Sequence, residues 1–312
     1  MTLSEALNEF LIDQAARGNS DKTYMNYRQM VGRFIEYNGD VETHTLTVAD
    51  VKNYYLYLIN IARVSRISAQ SYIRQLRAFL RWCYDSGYTE ENIPYQYRLP
   101  KATKKQIDVL SDSEIALIFE FFTGNGFCTV RNRAIIQLFL DSGLRLSELV
   151  GVKRRMLHIE ERYVVVNGKG DKQRAAPFGT RTQMTLRQYA AMLPSKGEPC
   201  FFQKEDGGAI TEEVVKNIFR DLRQYTGIPR LHPHLLRHTF ATRYLENGGN
   251  VYALQSILGH TSLEMVKRYT HLATAKIRRD FVNFSPIDRF YSEEAEDDGK
   301  APENAPKNGD TP

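Results

Sequence analysis

The feature that most restricts the fold is the spacing of apolar residues before position 98, which keeps a helical period in four separate stretches. Leu3, Leu7, Phe10 and Leu11 form the first stripe, opened by Thr2 and Glu5 at capping-box spacing. Tyr24, Tyr27, Val31, Phe34 and Ile35 form the second, and Val51, Tyr54, Tyr55 and Leu58 the third, after Thr47. A fourth helix, predicted over about 68–84, buries Ile73, Leu76, Leu80 and Cys83. Helices with one apolar stripe each bury those stripes against one another, so residues 1–97 are predicted to form a small bundle. The other side of the fourth helix carries Gln70, Arg74, Arg77 and Arg81. Alone, such a ridge is a solvated face. With Arg63, Arg66 and the basic residues that follow, it points to phosphate and groove contact.

The pattern breaks at residues 98–105, which hold Pro100 and four bases, among them Lys101, Lys104 and Lys105. A helix does not readily pass the proline and no apolar stripe runs through, so 98–108 reads as a basic linker. A new unit, 109–291, then opens with strong punctuation. Ser111 and Glu114 stand at capping-box spacing, with Leu110 and Ile115 at the staple positions around them. Ile115, Ile118, Phe119 and Phe122 line one helix face, and Ile135, Leu138 and Phe139 another. Residues 162–167 are β-rich, and Gly168-Lys169-Gly170-Asp171 turns into a return strand near 173–177. Helices are predicted again at about 181–192, 211–225, 233–247, 251–258 and 263–269. The class is mainly α with a small β-sheet.

Residues 292–312 have only alanines as apolar residues and carry seven acids against two bases, so they read as a disordered acidic tail. Removing their charge of −5 from the total of +5 leaves +10 on residues 1–291, a balance compatible with a polyanionic partner. No apolar run approaches the roughly 18 residues of a membrane span, and the first residues lack a signal-peptide pattern. Cys83, Cys128 and Cys200 offer neither zinc spacing nor a disulfide framework. A reduced, cytoplasmic protein is the expectation.

Five polar features lie within 142–269, and each has an ordinary reading. Arg145 opens a helix amid apolar neighbours and can be an ion-pair partner of Glu148. Lys169, on a glycine-flanked turn, can be a solvated lysine. His234 and Arg237 share a helical face, as a surface cluster would. His260 follows Leu258-Gly259, and Tyr269 is one of eighteen tyrosines, most of which pack. Together they supply the parts of one reaction. Two guanidiniums clamp a phosphodiester bidentately and stay charged. A tyrosine hydroxyl near a base can attack phosphorus, and a lysine can protonate the departing sugar oxygen. No acidic cluster suited to Mg²⁺ is visible, so side chains must neutralise the charge.

In this order the segments Ser-Gly-Leu-Arg-Leu-Ser-Glu-Leu (142–149), Gly-Lys-Gly-Asp-Lys-Gln-Arg (168–174), His-Pro-His-Leu-Leu-Arg-His-Thr-Phe-Ala-Thr (232–242), Leu-Gly-His (258–260) and Lys-Arg-Tyr-Thr-His (267–271) resemble the tyrosine recombinases of the phage-integrase and Xer type. The resemblance implies an N-terminal helical, SAM-like core-binding domain and a C-terminal tyrosine-recombinase catalytic domain, clamped on duplex DNA. It maps the family's catalytic positions onto Arg145, Lys169, His234, Arg237, His260 and the nucleophile Tyr269, with Glu148 an accessory acid bracing Arg145. His232 and His238 are neighbours that the spacing disfavours. It implies a 3′-phosphotyrosine intermediate, no cofactor, no metal, and a tetramer on two DNA sites. An accessory DNA-bending protein stays open. Arg66, Gln70, Arg74, Arg77, Arg81, Lys101, Lys104 and Lys105 are the expected DNA-binding residues. The apolar stretch 273–291 is expected to be a docking segment for a neighbouring protomer.

Within the family, a mobile-element integrase or transposase and a Xer-like resolvase both fit; a start directly at a core-binding domain favours the simpler, Xer-like layout. Two other classes remain: a monomeric type IB topoisomerase with similar chemistry, and a catalytically silent DNA-binding factor, which an unsubstituted catalytic set disfavours.

Overall fold

Thr2 caps the first helix as its spacing predicts: its Oγ1 accepts from the Glu5 amide at 3.3 Å, and Glu5 accepts from the Thr2 amide at 2.9 Å. A computed structural model of the chain describes residues 1–97, 108–168, 173–194 and 199–259. The chain divides into two compact units, Met1–Lys105 and Gln106–Pro312.

The first unit contains α1 (Leu3–Ala16), α2 (Asp21–Asn38), α3 (Val48–Asn60), α4 (Arg66–Asp85) and the short α5 (Ile93–Gln96). The helix α4 packs against each of the other four. Its apolar stripe meets Leu3, Phe10, Phe34 and Tyr54 in one core, where Phe10 stands edge-on to Tyr27 and Phe79 at 4.9 and 5.6 Å. A four-residue helix leaves no periodicity to read, so α5 is invisible in the sequence.

The predicted cationic ridge on α4 needs one correction. Gln70 is buried, not exposed. Around the helix it lies only about 60° from Ile73, within the apolar stripe's edge, whereas Arg74 lies about 100° beyond Ile73. Arg66, Arg74 and Arg81 are exposed, while Arg77 is half-buried and donates to the Pro94 carbonyl at 2.6 Å. Arg81 pairs with Asp85 at 2.9 Å. Lys101, Lys104 and Lys105 lie outside the described residues.

In the second unit, Ser111 and Glu114 form the expected capping box, at 3.2 and 2.9 Å, on α6 (Asp112–Glu120). Next come α7 (Phe127–Ser142) and α8 (Leu146–Val150). A three-stranded antiparallel sheet follows in the order β1 (Leu157–His158), β2 (Tyr163–Asn167), β3 (Gln173–Pro177). The chain continues through α9 (Thr180–Ala191), α10 (Glu212–Thr226), α11 (Pro233–Glu246) and α12 (Val251–Leu258). The helix α7 is the centre: Val130, Ala134, Ile135, Leu138 and Phe139 are fully buried, and α9 and α11 pack on it. The two-residue β1 is too short to show alternation and adds a strand that the sequence pattern does not predict. The helix predicted at 263–269, the docking segment and the acidic tail lie outside the described residues. Among the described residues no helix is long and apolar enough to cross a membrane.

Candidate active site

The turn that presents Arg145 exists because residue 143 is glycine. Gly143 ends α7 in the left-handed region (φ 59°), donating to the Phe139 carbonyl at 3.1 Å. A Cβ there would stand 2.5 Å from the Phe240 ring and 2.9 Å from Leu258. The reversal leaves Arg145 as the N-cap of α8, one turn before Glu148. Glu148 accepts from the Arg145 amide and from its guanidinium, both at 2.7 Å.

The buried carboxylate of Glu148 has a second partner, to which the sequence pattern assigns no role. Arg174 grips it in a bidentate fork, Nη1 to Oε1 at 2.7 Å and Nη2 to Oε2 at 2.8 Å. Burial pushes the Glu148 carboxyl up, but Arg174 and the Arg145 amide and guanidinium outweigh it and hold the group at about 2. The signal for Arg174 is present in the strand's alternation. Opposite Arg174 is Val166, which is buried, so the register turns this arginine toward the core and its neighbour Gln173 outward.

Arg237 is 5% exposed, too buried for a solvated surface cation. Its Nη1 donates to the Gly143 carbonyl at 2.5 Å and its Nη2 to the Leu258 carbonyl at 2.8 Å. Arg174 donates from Nε to the next carbonyl back, Ile257, at 2.6 Å. In the last turn of α12 the Gly259 amide donates to the Gln255 and Ser256 carbonyls, and the two carbonyls beyond them, Ile257 and Leu258, are taken by guanidiniums from elsewhere in the fold. Gly259 then adopts φ 63° with the Arg174 side chain so close that a Cβ would meet its Cδ at 2.9 Å. His260 is the next residue in the chain.

His234, on the same helix as Arg237, keeps an exposed side toward solvent. Burial lowers its imidazole below the ordinary 6.5, and the positive charges of Arg237 and Arg145 lower it further. Those electrostatic neighbours place Arg145, His234 and Arg237 in one locale, assembled from the start of α8 and the first turns of α11. His232 has a different job: it is the N-cap of α11, its Nδ1 accepting from the Leu235 amide at 3.1 Å. Of the predicted site residues, Arg145, Glu148, His234 and Arg237 come together. Lys169, His260 and Tyr269 lie outside the described residues. Arg145 keeps a third of its side chain exposed, so its guanidinium can meet a ligand while Glu148 fixes its other edge.

The chain is similar to known proteins over both of its units. Residues 108–276 match the phage integrase family and residues 6–90 its N-terminal SAM-like domain. The tyrosine recombinase XerC of Staphylococcus aureus is 30% identical over 288 residues, spanning 90% of this chain and 95% of its own. That of Xylella fastidiosa is 32% identical over 260 residues, 82% of this chain and 88% of its own. Among solved structures, a lambda integrase dimer bound to a COC′ core site aligns with TM-score 0.71 at 21% identity, over 85% of this chain and 97% of its own. The Tn1549 transposon integrase in complex with circular intermediate DNA aligns with TM-score 0.74 at 20% identity, over 90% and 99%. These two show a shared fold. With both units matched and the Arg145–Glu148–Arg174 and His234–Arg237 groups assembled beside each other, the chain belongs to the phage integrase family and is a tyrosine-type site-specific recombinase.

Proposed function

We propose that the chain cuts and rejoins duplex DNA at a specific site through a 3′-phosphotyrosine intermediate, in the manner of a Xer-like resolvase. Tyr269 attacks the scissile phosphorus, its proton passes to His234, and the 5′-oxygen departs with a proton from Lys169. Arg145 and Arg237 hold the nonbridging oxygens and take up the charge that builds between ground and transition state. His260 donates a hydrogen bond to the same phosphate, and Glu148 braces Arg145. The link to Tyr269 conserves the phosphodiester bond energy, and a 5′-hydroxyl from a second duplex resolves it. Neither a nucleotide nor a metal is needed. The observation that carries this reading is the pinning of Arg237 by two backbone carbonyls beside an Arg145 held by Glu148, because two prepositioned guanidiniums next to a neutral imidazole suit an in-line phosphoryl transfer. The exposed Arg66, Arg74 and Arg81 of the first unit, with Lys101, Lys104 and Lys105, supply nonspecific grip on the DNA. The protein works in the cytoplasm as a tetramer on two sites.

The test of the acid role uses Lys169→Ala. General acid catalysis contributes roughly 10²–10⁴-fold, and cleavage of an ordinary phosphodiester should fall by about that factor. A substrate with sulfur at the bridging 5′ position has a leaving group that needs no proton, so its cleavage should be nearly restored. An equal defect on both substrates assigns Lys169 to binding instead.

The base role makes a pH prediction. His234 accepts a proton only when neutral, and its surroundings move its protonation below the ordinary 6.5. The acidic limb of single-turnover cleavage should therefore have its midpoint below 6.5. An acidic limb centred above 6.5 counts against the assignment.

Assembly in trans is the remaining part of the reading. A cleft of about 690 Å³ lined by Ile115, Phe119, Leu140, Phe240 and Tyr244 offers an apolar receiver for residues 273–291 of a neighbouring protomer. At its wall, Gln137 Oε1 and Arg243 Nε are buried without hydrogen-bond partners among the described residues, an acceptor and a donor for an incoming segment. Ending the chain after Lys276 should spare binding to a single site and remove cooperative filling of two sites in a gel-shift titration. Ending it after Tyr291 should leave both intact.

A further inference from the structure

Behind the wall formed by Glu148 lies a second, polar cleft of about 420 Å³, between α8 and the β2–β3 hairpin. Lys153 and Arg155 stand at its rim, both exposed, and neither has an ion-pair partner among the described residues. Glu148 contributes no unsatisfied negative charge to the cleft, because its two oxygens are held by Arg145 and Arg174. Among the described residues of the lining, the field inside is therefore set by Lys153 and Arg155. Facing them are two carboxamides: Asn167 and Gln173 are cross-strand partners, both exposed, on the last paired rung of the hairpin. Met156 lends an apolar surface between the two sets.

Each part of this lining fits a different part of one ligand. Exposed, unpaired lysine and arginine side chains bind phosphate oxygens without regard to sequence. Carboxamides offer a donor and an acceptor side by side, the pattern that matches a base edge. An apolar wall suits the face of a deoxyribose. The rung that carries the amides is the last pair of the hairpin before residues 168–172, the stretch of sequence that includes Lys169.

We infer that this cleft holds the DNA strand next to the cleaved bond, Lys153 and Arg155 gripping the flanking phosphates and the Asn167–Gln173 pair reading the adjacent base edges, so that it sets the register at which the strand is cut. The inference rests on the DNA-cleaving reading above and adds specificity-determining residues to it. A bare phosphate clamp accepts any sequence and any register; the amide rung restricts both.

Two double variants test it in the full chain. In K153A/R155A, affinity for a fluorescent duplex of random sequence should depend less steeply on salt. Each lost phosphate contact removes about 0.9 from the slope of log K against log salt, so the expected change is roughly 1.8. The charge-preserving K153R/R155K should keep the wild-type slope, which a merely structural disturbance would not. In N167A/Q173A, duplexes from a randomised pool are captured as denaturation-resistant protein adducts and sequenced. Base preference beside the break should flatten relative to wild type, and the break positions should scatter. An unchanged salt slope in the first variant, or unchanged base preference and break position in the second, overturns the inference while leaving the recombinase reading in place. A wild-type protein that forms no adduct with any duplex in the pool sinks both.

Discussion

Replacing Tyr269 by phenylalanine is expected to leave duplex binding at its wild-type affinity and to eliminate covalent protein–DNA complexes altogether. The change removes one oxygen and keeps the ring. If that oxygen is the nucleophile, no partial activity survives, since a phenyl carbon cannot attack phosphorus and the reaction has no other route to a phosphotyrosine. This all-or-none outcome separates Tyr269 from residues that merely stabilise the transition state, whose loss lowers a rate without abolishing it. Denaturing electrophoresis of protein incubated with a suicide substrate, nicked so that the cleaved end diffuses away, reads the result directly. Tyr252 is the control to watch: it is exposed on α12, in the same part of the fold as the Leu258 carbonyl that Arg237 holds. A persistent adduct in the Tyr269→Phe variant that disappears when Tyr252 is also changed would transfer the nucleophile to Tyr252. The same adduct assay, joined to a supercoiled plasmid as second substrate, discriminates the rival classes. Adducts with joined products mark a recombinase, adducts with relaxation alone a type IB topoisomerase, and a wild type without adducts a DNA-binding factor.

Much of the fold is legible because most elements carry a period long enough to read. The stripes of α1 to α4, the β-rich run at β2 and the capping boxes at Thr2 and Ser111 all appear where the sequence places them. The misses share one physical cause, which is that short or flanking positions hold no periodic signal. Examples are α5 with four residues, β1 with two, and Gln70 at the margin of an apolar stripe. The site is legible in a different way. Arg145, His234 and Arg237 stand out as residue types in order, but nothing in that order says that Arg237 would be pinned by the carbonyls of Gly143 and Leu258. Nor does it say that Arg174 would be drawn inward to complete the salt bridge at Glu148. Such facts belong to the tertiary packing of α8, β3 and α12, which brings together residues 26 and 83 apart in sequence.

The second large effect is expected at Glu148, and its two halves can be separated. In the folded protein Arg174 is almost wholly buried and gives two of its donors to this one carboxylate, with a third donated to Ile257. Glu148→Ala leaves that guanidinium in the interior without its counter-charge, a change that typically costs about 3–5 kcal/mol. Arg145 loses its guanidinium anchor and its amide acceptor at the same time, so it no longer holds the pose in which it meets the phosphate. A displacement of the order of 1 Å at a reacting group can cost about 10²-fold, and single-turnover cleavage should fall at least that far. Adding Arg174→Ala removes the stranded charge and should recover part of the stability while recovering none of the cleavage, because Arg145 stays unbraced. The pH dependence carries an independent sign. The folded carboxyl sits near 2, below its ordinary 4.5, so the stabilisation is complete above 4.5 and drains away as the pH falls toward 2. Wild-type protein should accordingly lose stability over that acidic window more steeply than Glu148→Ala, measured by denaturant unfolding at a series of pH values. If the single variant unfolds at the wild-type midpoint and cleaves at the wild-type rate, the carboxylate is a bystander and the brace on Arg145 must come from elsewhere.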